Sequence, residues 1–325
     1  MSNLRRKHLN LRILAVFQSI IILILIILLV YVEFIKVPVE TSVPASVILD
    51  NSKEDGEVRT KAVIEKKETY YQLDGKKILL SDDTYGEIFL PVYKDVPAST
   101  LDKKAMVTRN GYTFYKPDSK VTSILGIDVS AHQTSVNWQQ VKDAGVQFVM
   151  IRVGYRSYGG GQIHIDENFE DNIKGAEAVG INVGVYFFSQ AVTTDEAVQE
   201  ADAVIDAISK YKITYPVVFD WELISDDTAR TDNIPVDTLT DCCVSFCERV
   251  KSAGYKPMIY QNKRTSLFKL DLPRLTDYDF WLAEYGSTPS YYYNYNMWQY
   301  SCTGTIPGIF GDVDLNLSFK DYAAQ

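Results

Sequence analysis

From Gly126 onward the chain alternates between two hydrophobic periods, and that alternation constrains its fold more than any other feature. The runs Phe148-Val149-Met150-Ile151, Val183 to Phe188 and Val217-Val218-Phe219 are almost wholly apolar, as parallel strands buried on both faces must be. Between them the period changes to 3.6. Ala197, Val198, Ala201, Val204, Ile205 and Ile208 share a helix face behind a Thr193-x-x-Glu196 capping box. Leu239, Cys242, Cys243, Phe246, Cys247 and Val250 share another. Three helix patterns end at a glycine before the next strand, in Ala144-Gly145-Val146, Val179-Gly180-Ile181 and Ala253-Gly254-Tyr255, where a left-handed cap is expected. Repeated strand–helix units predict an α/β fold, either a barrel or a doubly wound sheet. The strands near Phe280-Trp281-Leu282-Ala283, Met297-Trp298-Gln299-Tyr300 and Val313-Asp314-Leu315 leave little chain for helices between them. A barrel over 124–325 that loses its outer helices toward its end fits this spacing best.

The chain before this region has a different character. Ile13 to Val32 is an uncharged run with only Gln18 and Ser19 polar inside it, long enough to span a bilayer core as a helix. Arg5, Arg6, Lys7 and Arg12 precede it. The positive-inside rule therefore predicts a single-pass anchor over 13–35, with residues 1–12 cytoplasmic and the rest of the chain outside the cell. The run is longer than a secretory signal, and no small-x-small cleavage site follows it, so an uncleaved anchor is expected. Residues 36–68 are polar and charged, with Pro38 and Pro44, and read as a linker. Over 69–123, Asp74-Gly75 and Asn110-Gly111 punctuate short apolar and aromatic runs, which predicts a small β-rich module of hairpins.

Composition removes several functions. With 33 basic and 42 acidic residues the formal charge is −9, which disfavours nucleic acid as a partner because no broad surface neutralises phosphates. The 22 tyrosines suit contacts with sugars or peptides, since each ring offers flat apolar area and a hydroxyl. The cysteines, at 242, 243, 247 and 302, form no CxxC pair, and neither His132 nor His164 belongs to a metal-binding spacing. No metal and no cofactor are expected.

Four acids sit at or near strand ends: Asp128, Asp220, Glu222 and Asp314. A carboxylate in an apolar strand is costly unless it is paired or used. In parallel barrels the C-terminal strand ends build the active site. Asp220 and Glu222 are two apart, so they point to one face. Repulsion and burial should then keep one of them protonated near neutral pH, which is the equipment for cutting a glycosidic bond.

At these residues the sequence resembles glycoside hydrolase family 25, the lysozymes. The matching stretches are Gly126-Ile127-Asp128-Val129-Ser130 with His132-Gln133, Ile151-Arg152 with Gly154-Tyr155, Gly184-Val185-Tyr186, Pro216 to Glu222, Met297 to Tyr300, and Val313-Asp314-Leu315-Asn316. The resemblance implies a modified TIM-like (β/α)5(β)3 barrel. It implies cleavage of the β-1,4 bond between N-acetylmuramic acid and N-acetylglucosamine in peptidoglycan glycan strands, with retention. Glu222 would be the general acid/base, and Asp220 would stabilise the transition state. Either the substrate's N-acetyl group or an Asp would be the nucleophile. Asp128 and Asp314 would complete the acidic rim. Arg152, Tyr186, Tyr260, Trp298 and Gln299 would contact substrate. Thr134-Ser135, Trp221 and Glu284 depart from the family pattern. A non-catalytic glycan-binding or scaffolding protein on the same barrel is the alternative; protein partners are not legible.

Overall fold

The computed structural model describes residues 40–54, 57–70, 73–82, 84–225 and 227–324. The segments expected to be cytoplasmic (1–12) and membrane-spanning (13–35) lie outside the described residues. Among the described residues no helix is long and apolar enough to cross a membrane. Where a linker was expected over 36–68, two strands, β1 (Glu40–Glu54) and β2 (Glu57–Tyr70), pair as a two-stranded sheet. The alternation of Val58, Thr60, Ala62 and Ile64 with Arg59 and Lys61 is a strand period that the high charge of the stretch obscures.

Two hairpins follow. One joins β3 (Leu73–Asp82) to β4 (Gly86–Tyr93), the other β5 (Met106–Arg109) to β6 (Tyr112–Tyr115). The second turns at Asn110-Gly111, both with positive φ, as the sequence predicts.

Eight strands then close a barrel. In ring order they are β7 (Ile124–Val129), β8 (Phe148–Arg156), β10 (Asn182–Ser189), β11 (Val217–Trp221), β12 (Pro257–Asn262), β13 (Asp279–Ala283), β14 (Met297–Gly304) and β15 (Val313–Ser318). The short β9 (Ile163–Ile165) pairs antiparallel with the end of β8. All ring neighbours run parallel except β15, which is antiparallel to both β14 and β7. Helices α1 (Trp138–Asp143), α2 (Phe169–Ala178), α3 (Thr194–Ile208), α4 (Val236–Ser252) and α5 (Lys263–Lys269) follow the first five ring strands, and β13, β14 and β15 carry no α-helix between them. This is the (β/α)5(β)3 arrangement. The predicted helix stops hold: Gly145, Gly180 and Gly254 have φ of 94°, 70° and 88°. Thr193 caps α3 by accepting the Glu196 N–H, and the Glu196 carboxylate accepts the Val192 N–H. Cys242, Cys243 and Cys247 are free thiols buried along α4.

Strand alternation sorts the core into two clusters. Val149, Ile151, Val185, Phe219, Trp221, Leu282 and Trp298 belong to the cluster outside the barrel. Phe148, Met150, Val218, Met258, Trp281 and Met297 fill the barrel with Tyr215 and Tyr322. The interior is packed tightly: a Cβ on Gly126 would lie 2.3 Å from the Phe148 ring, and one on Gly184 2.6 Å from Met150 Sδ.

The residues 93–123 cover the strands that lack helices. Ala98 bridges to Tyr293, Ser99 N donates to the Tyr292 carbonyl at 2.9 Å, and Asn294 N donates to that of Pro97 at 2.8 Å. The hydroxyl of Tyr300 accepts the Thr113 N–H, and the Tyr115 ring meets Phe319 edge-on at 5.5 Å. Arg264, on α5, pairs with Asp82 of the first hairpin. The sequence placed a boundary at residue 123, whereas residues 73–325 fall within one compact unit.

Candidate active site

The parallel strands deliver their inward residues to one mouth of the barrel. There a cavity of about 250 Å³ opens, lined by Asp128, Arg152, Tyr186, Asp220, Glu222, Tyr260, Trp281, Tyr285, Gln299 and Asp314, with Ser130, His132 and Gln133 at its rim. All four acids identified from the sequence are present. Asp128 is the penultimate residue of β7, Asp220 that of β11, and Glu222 lies one residue beyond β11. Asp314 reaches the same end because β15 runs in reverse, so that its second residue pairs with Asp128.

Asp128 Oδ2 accepts from Gln299 Nε2 at 2.9 Å and from Asn316 Nδ2 at 2.7 Å. Gln299 is oriented in turn, since its Oε1 accepts from the hydroxyls of Tyr260 at 2.9 Å and Tyr285 at 3.2 Å. Asn316 Oδ1 accepts from Trp281 Nε1 at 2.9 Å. Arg152 Nε donates to Asp166 Oδ2 at 2.7 Å, and the same oxygen accepts the N–H of Ala131. One buried carboxylate therefore holds both the cleft's arginine and the loop behind Ser130.

The electrostatics divide the acids. Burial pushes the Glu222 carboxyl up to about 7, with the charge of Asp314 adding to it. Asp220 is raised well above the usual carboxylate range by burial and then by the charges of Glu222 and Asp128, against which Arg152 acts. Asp314 is pushed up to about 8 by burial, by the charge of Asp128 and by its hydrogen bond to that residue. Asp128 rises only to about 6, because the hydrogen bonds from Gln299, Asn316 and Asp314 work against its burial. Asp128 is thus the acid whose ionised form receives the most hydrogen bonds, with Asp314 bonded beside it. Asp220 Oδ1 is buried and has no hydrogen-bond partner among the described residues.

Arg152, Tyr186, Tyr260 and Gln299 line the cavity as expected; Trp298 does not. Its ring lies in the outer cluster, and its Nε1 donates to the Glu284 carbonyl at 2.8 Å. Adjacent residues of a strand face opposite sides, so Gln299 and Trp298 could not both point inward. The indole in the cleft is Trp281, which sequence reasoning passed over although it occupies an inward position of β13. Tyr285 and the bracing Asn316 and Asp166 were also missed as site residues, although Asn316 ends one of the stretches that carry the family resemblance. Trp221, between the two acids, points outward as expected. Glu284 faces the 284–291 turn, where it accepts the N–H groups of Ser290 and Tyr291. Among the described residues no cluster of His, Cys, Asp and Glu could hold a metal ion.

A closed α/β barrel with acids gathered at its mouth belongs, in this chain, to a defined family. The model of glycosyl hydrolases family 25 matches residues 127–309, and the chain is a member of that family. Among characterised relatives, the autolytic lysozyme of Clostridium acetobutylicum is 28% identical over 193 residues, covering 59% of this chain and 54% of its own. Lysozyme M1 of Streptomyces globisporus is 28% identical over 217 residues, 63% of this chain and 70% of its own. The chain therefore spans about half the length of the first relative. In structure it is similar to the bacterial lysozyme from Streptomyces coelicolor, with a TM-score of 0.50 and 26% identity over 62% of this chain and 94% of that one. A family 25 glycosyl hydrolase from Bacillus anthracis shares the fold, with a TM-score of 0.53 at 22% identity over 66% of this chain and 95% of that one.

Proposed function

We propose that this protein is a peptidoglycan hydrolase that cleaves the β-1,4 bond between N-acetylmuramic acid and N-acetylglucosamine with retention. Anchored by residues 13–35, it would act at the outer face of the cell membrane. The observation that carries this reading is Glu222 at the barrel mouth, its carboxyl pushed up to about 7. A carboxylic acid that keeps its proton near neutral pH can give it to the leaving oxygen and later take one from water. Asp220 stands on the same face, two residues earlier. As the sugar ring gains positive charge, that charge favours the ionised form of Asp220, and the attraction is strong because the site is poorly screened. The unpartnered Asp220 Oδ1 suits an N–H of the substrate's acetamido group, which would be oriented to attack the anomeric carbon. Asp128 and Asp314 would set the local charge, and Arg152, Tyr186, Tyr260, Trp281 and Gln299 would seat the sugars.

The test is mass spectrometry of purified cell walls digested by the full chain in detergent. Fragments ending in reducing N-acetylmuramic acid are the expected products, and proton NMR of the fresh digest should show the β-anomer first. Glu222→Gln should lower kcat by roughly two to four orders of magnitude while folding normally. Wall binding without bond cleavage by the wild-type chain would instead support a non-catalytic glycan-binding protein. For the anchor, the chain should stay with membranes after an alkaline carbonate wash and be cut by protease added outside intact protoplasts; release by the wash would remove it.

A further inference from the structure

Glu222 is placed where the sheet no longer holds it. The register of β11 with β12 ends at Asp220 and that with β10 ends at Trp221, so Glu222 begins the irregular segment that leads to α4. Two buried glutamine side chains take over where the ladder stops. Gln261, on β12, donates from Nε2 to the Trp221 carbonyl at 3.0 Å. Gln190, just past β10 and fully buried, donates from Nε2 to the Glu222 carbonyl at 3.1 Å. The other end of the Gln190 amide is also engaged, since Oε1 accepts the hydroxyl of buried Thr231 at 2.5 Å. Thr231 sits further along the segment that Glu222 begins, five residues before α4. A single amide therefore ties two points of this segment, its start and Thr231, to the barrel.

An amide is suited to this task because it donates at one end and accepts at the other without adding a charge. A carboxylate there would be a buried anion that could not donate to the Glu222 carbonyl. Neither Gln190 nor Thr231 lines the cavity, so neither is placed to touch substrate.

The geometry points to Gln190, seconded by Thr231, as a positioning residue that fixes the backbone of the catalytic acid Glu222 and so holds its carboxyl in the buried mouth of the barrel. This deepens the hydrolase reading and rests on it for the role of Glu222. The groups facing Glu222 are Asp220 on β11, Asp128 on β7, Tyr260 on β12, Tyr285 after β13 and Asp314 on β15. Substituting Gln190 changes none of them.

The experiment uses the full chain in detergent micelles, with glutamate side-chain carboxyls labelled with carbon-13 and the Glu222 signal assigned by its loss in Glu222→Gln. In Gln190→Met, which keeps the side-chain length but makes neither hydrogen bond, Glu222 should become more hydrated. Its titration midpoint should fall by about one pH unit or more toward the ordinary carboxylate range. On purified walls, kcat should drop about 10- to 100-fold with KM within about twofold, as expected for a misplaced acid. Thr231→Val, which frees only the acceptor end of the amide, should shift the midpoint the same way by less. An unchanged midpoint in folded Gln190→Met would overturn the proposal; if that variant does not fold, an unchanged midpoint in Thr231→Val does so. The titration needs no substrate. Failure of the hydrolase reading would appear separately, as a wild-type chain that releases no reducing ends.

Discussion

Two carboxyls on one strand face can divide the work of acid and stabiliser only if their surroundings differ. Asp220 is buried at the cavity wall, with one oxygen unpartnered among the described residues, whereas Glu222 is partly exposed. The pH dependence should follow from this difference. If Glu222 must start protonated, kcat/KM on cell walls should fall about tenfold per pH unit above about pH 7; a rate that stays flat to pH 9 would assign the proton to another group. Stability should move with the same groups. Glu222 and Asp314 bind protons more tightly folded than unfolded, so their stabilising contribution is full below the unfolded carboxyl range near pH 4. It is lost as pH rises through about 7 and about 8. Glu222→Gln should therefore melt higher than wild type at pH 8, by about 2–4 °C for each kcal/mol recovered, and gain nothing at pH 4; differential scanning calorimetry at the two pH values decides it. These acids were legible in the sequence because a carboxylate at the end of an apolar strand demands a reason. Asn316, Trp281 and Asp166 were not, because an amide, an indole or a loop aspartate occurs wherever a hydrogen bond or packing is needed. Their roles appear only when strands distant in sequence meet.

At the scale of elements, the barrel strands were readable because continuous apolar runs and glycine-capped helices reinforce each other. The strand period also governs what lies inside, and it separates two tryptophans that composition cannot. Trp281→Phe removes the indole N–H that orients Asn316, and with it part of the hold on Asp128. It should lower kcat/KM about tenfold and, because it leaves buried Asn316 Oδ1 unpaired, lower stability by about 1 kcal/mol or more. Trp298→Phe removes a bond to the Glu284 carbonyl on the outer face. It should lower stability by about 1 kcal/mol with kcat/KM within about twofold. Wall-hydrolysis kinetics separate the two variants: only Trp281→Phe slows the reaction if the sides are as described. The strands β1 and β2 show the converse difficulty: a charged alternating stretch has the composition of a linker and the period of a strand, and composition speaks louder in a single sequence.

For the whole molecule, the hairpin region does for β13, β14 and β15 what α1 to α5 do for the other strands. Tyr293, Tyr300 and Phe319 make the contacts with 93–123 described above, and their rings would face water without it. A chain lacking 73–123 should therefore bind a hydrophobic dye and leave the monomer peak on gel filtration; an unaltered monomer would show that the barrel is sufficient alone. The reversed strand has a further consequence. The ring closes only when β15 inserts between β14 and β7, and Asp128 and Asp314 come from the two strands that meet at that seam. A nascent chain in which β15 has not yet emerged from the ribosome has an open sheet and only three of its four acids. Synthesis itself thus acts as a timer: the chain cannot carry a complete acidic rim until nearly two hundred residues after the first of its acids have been made.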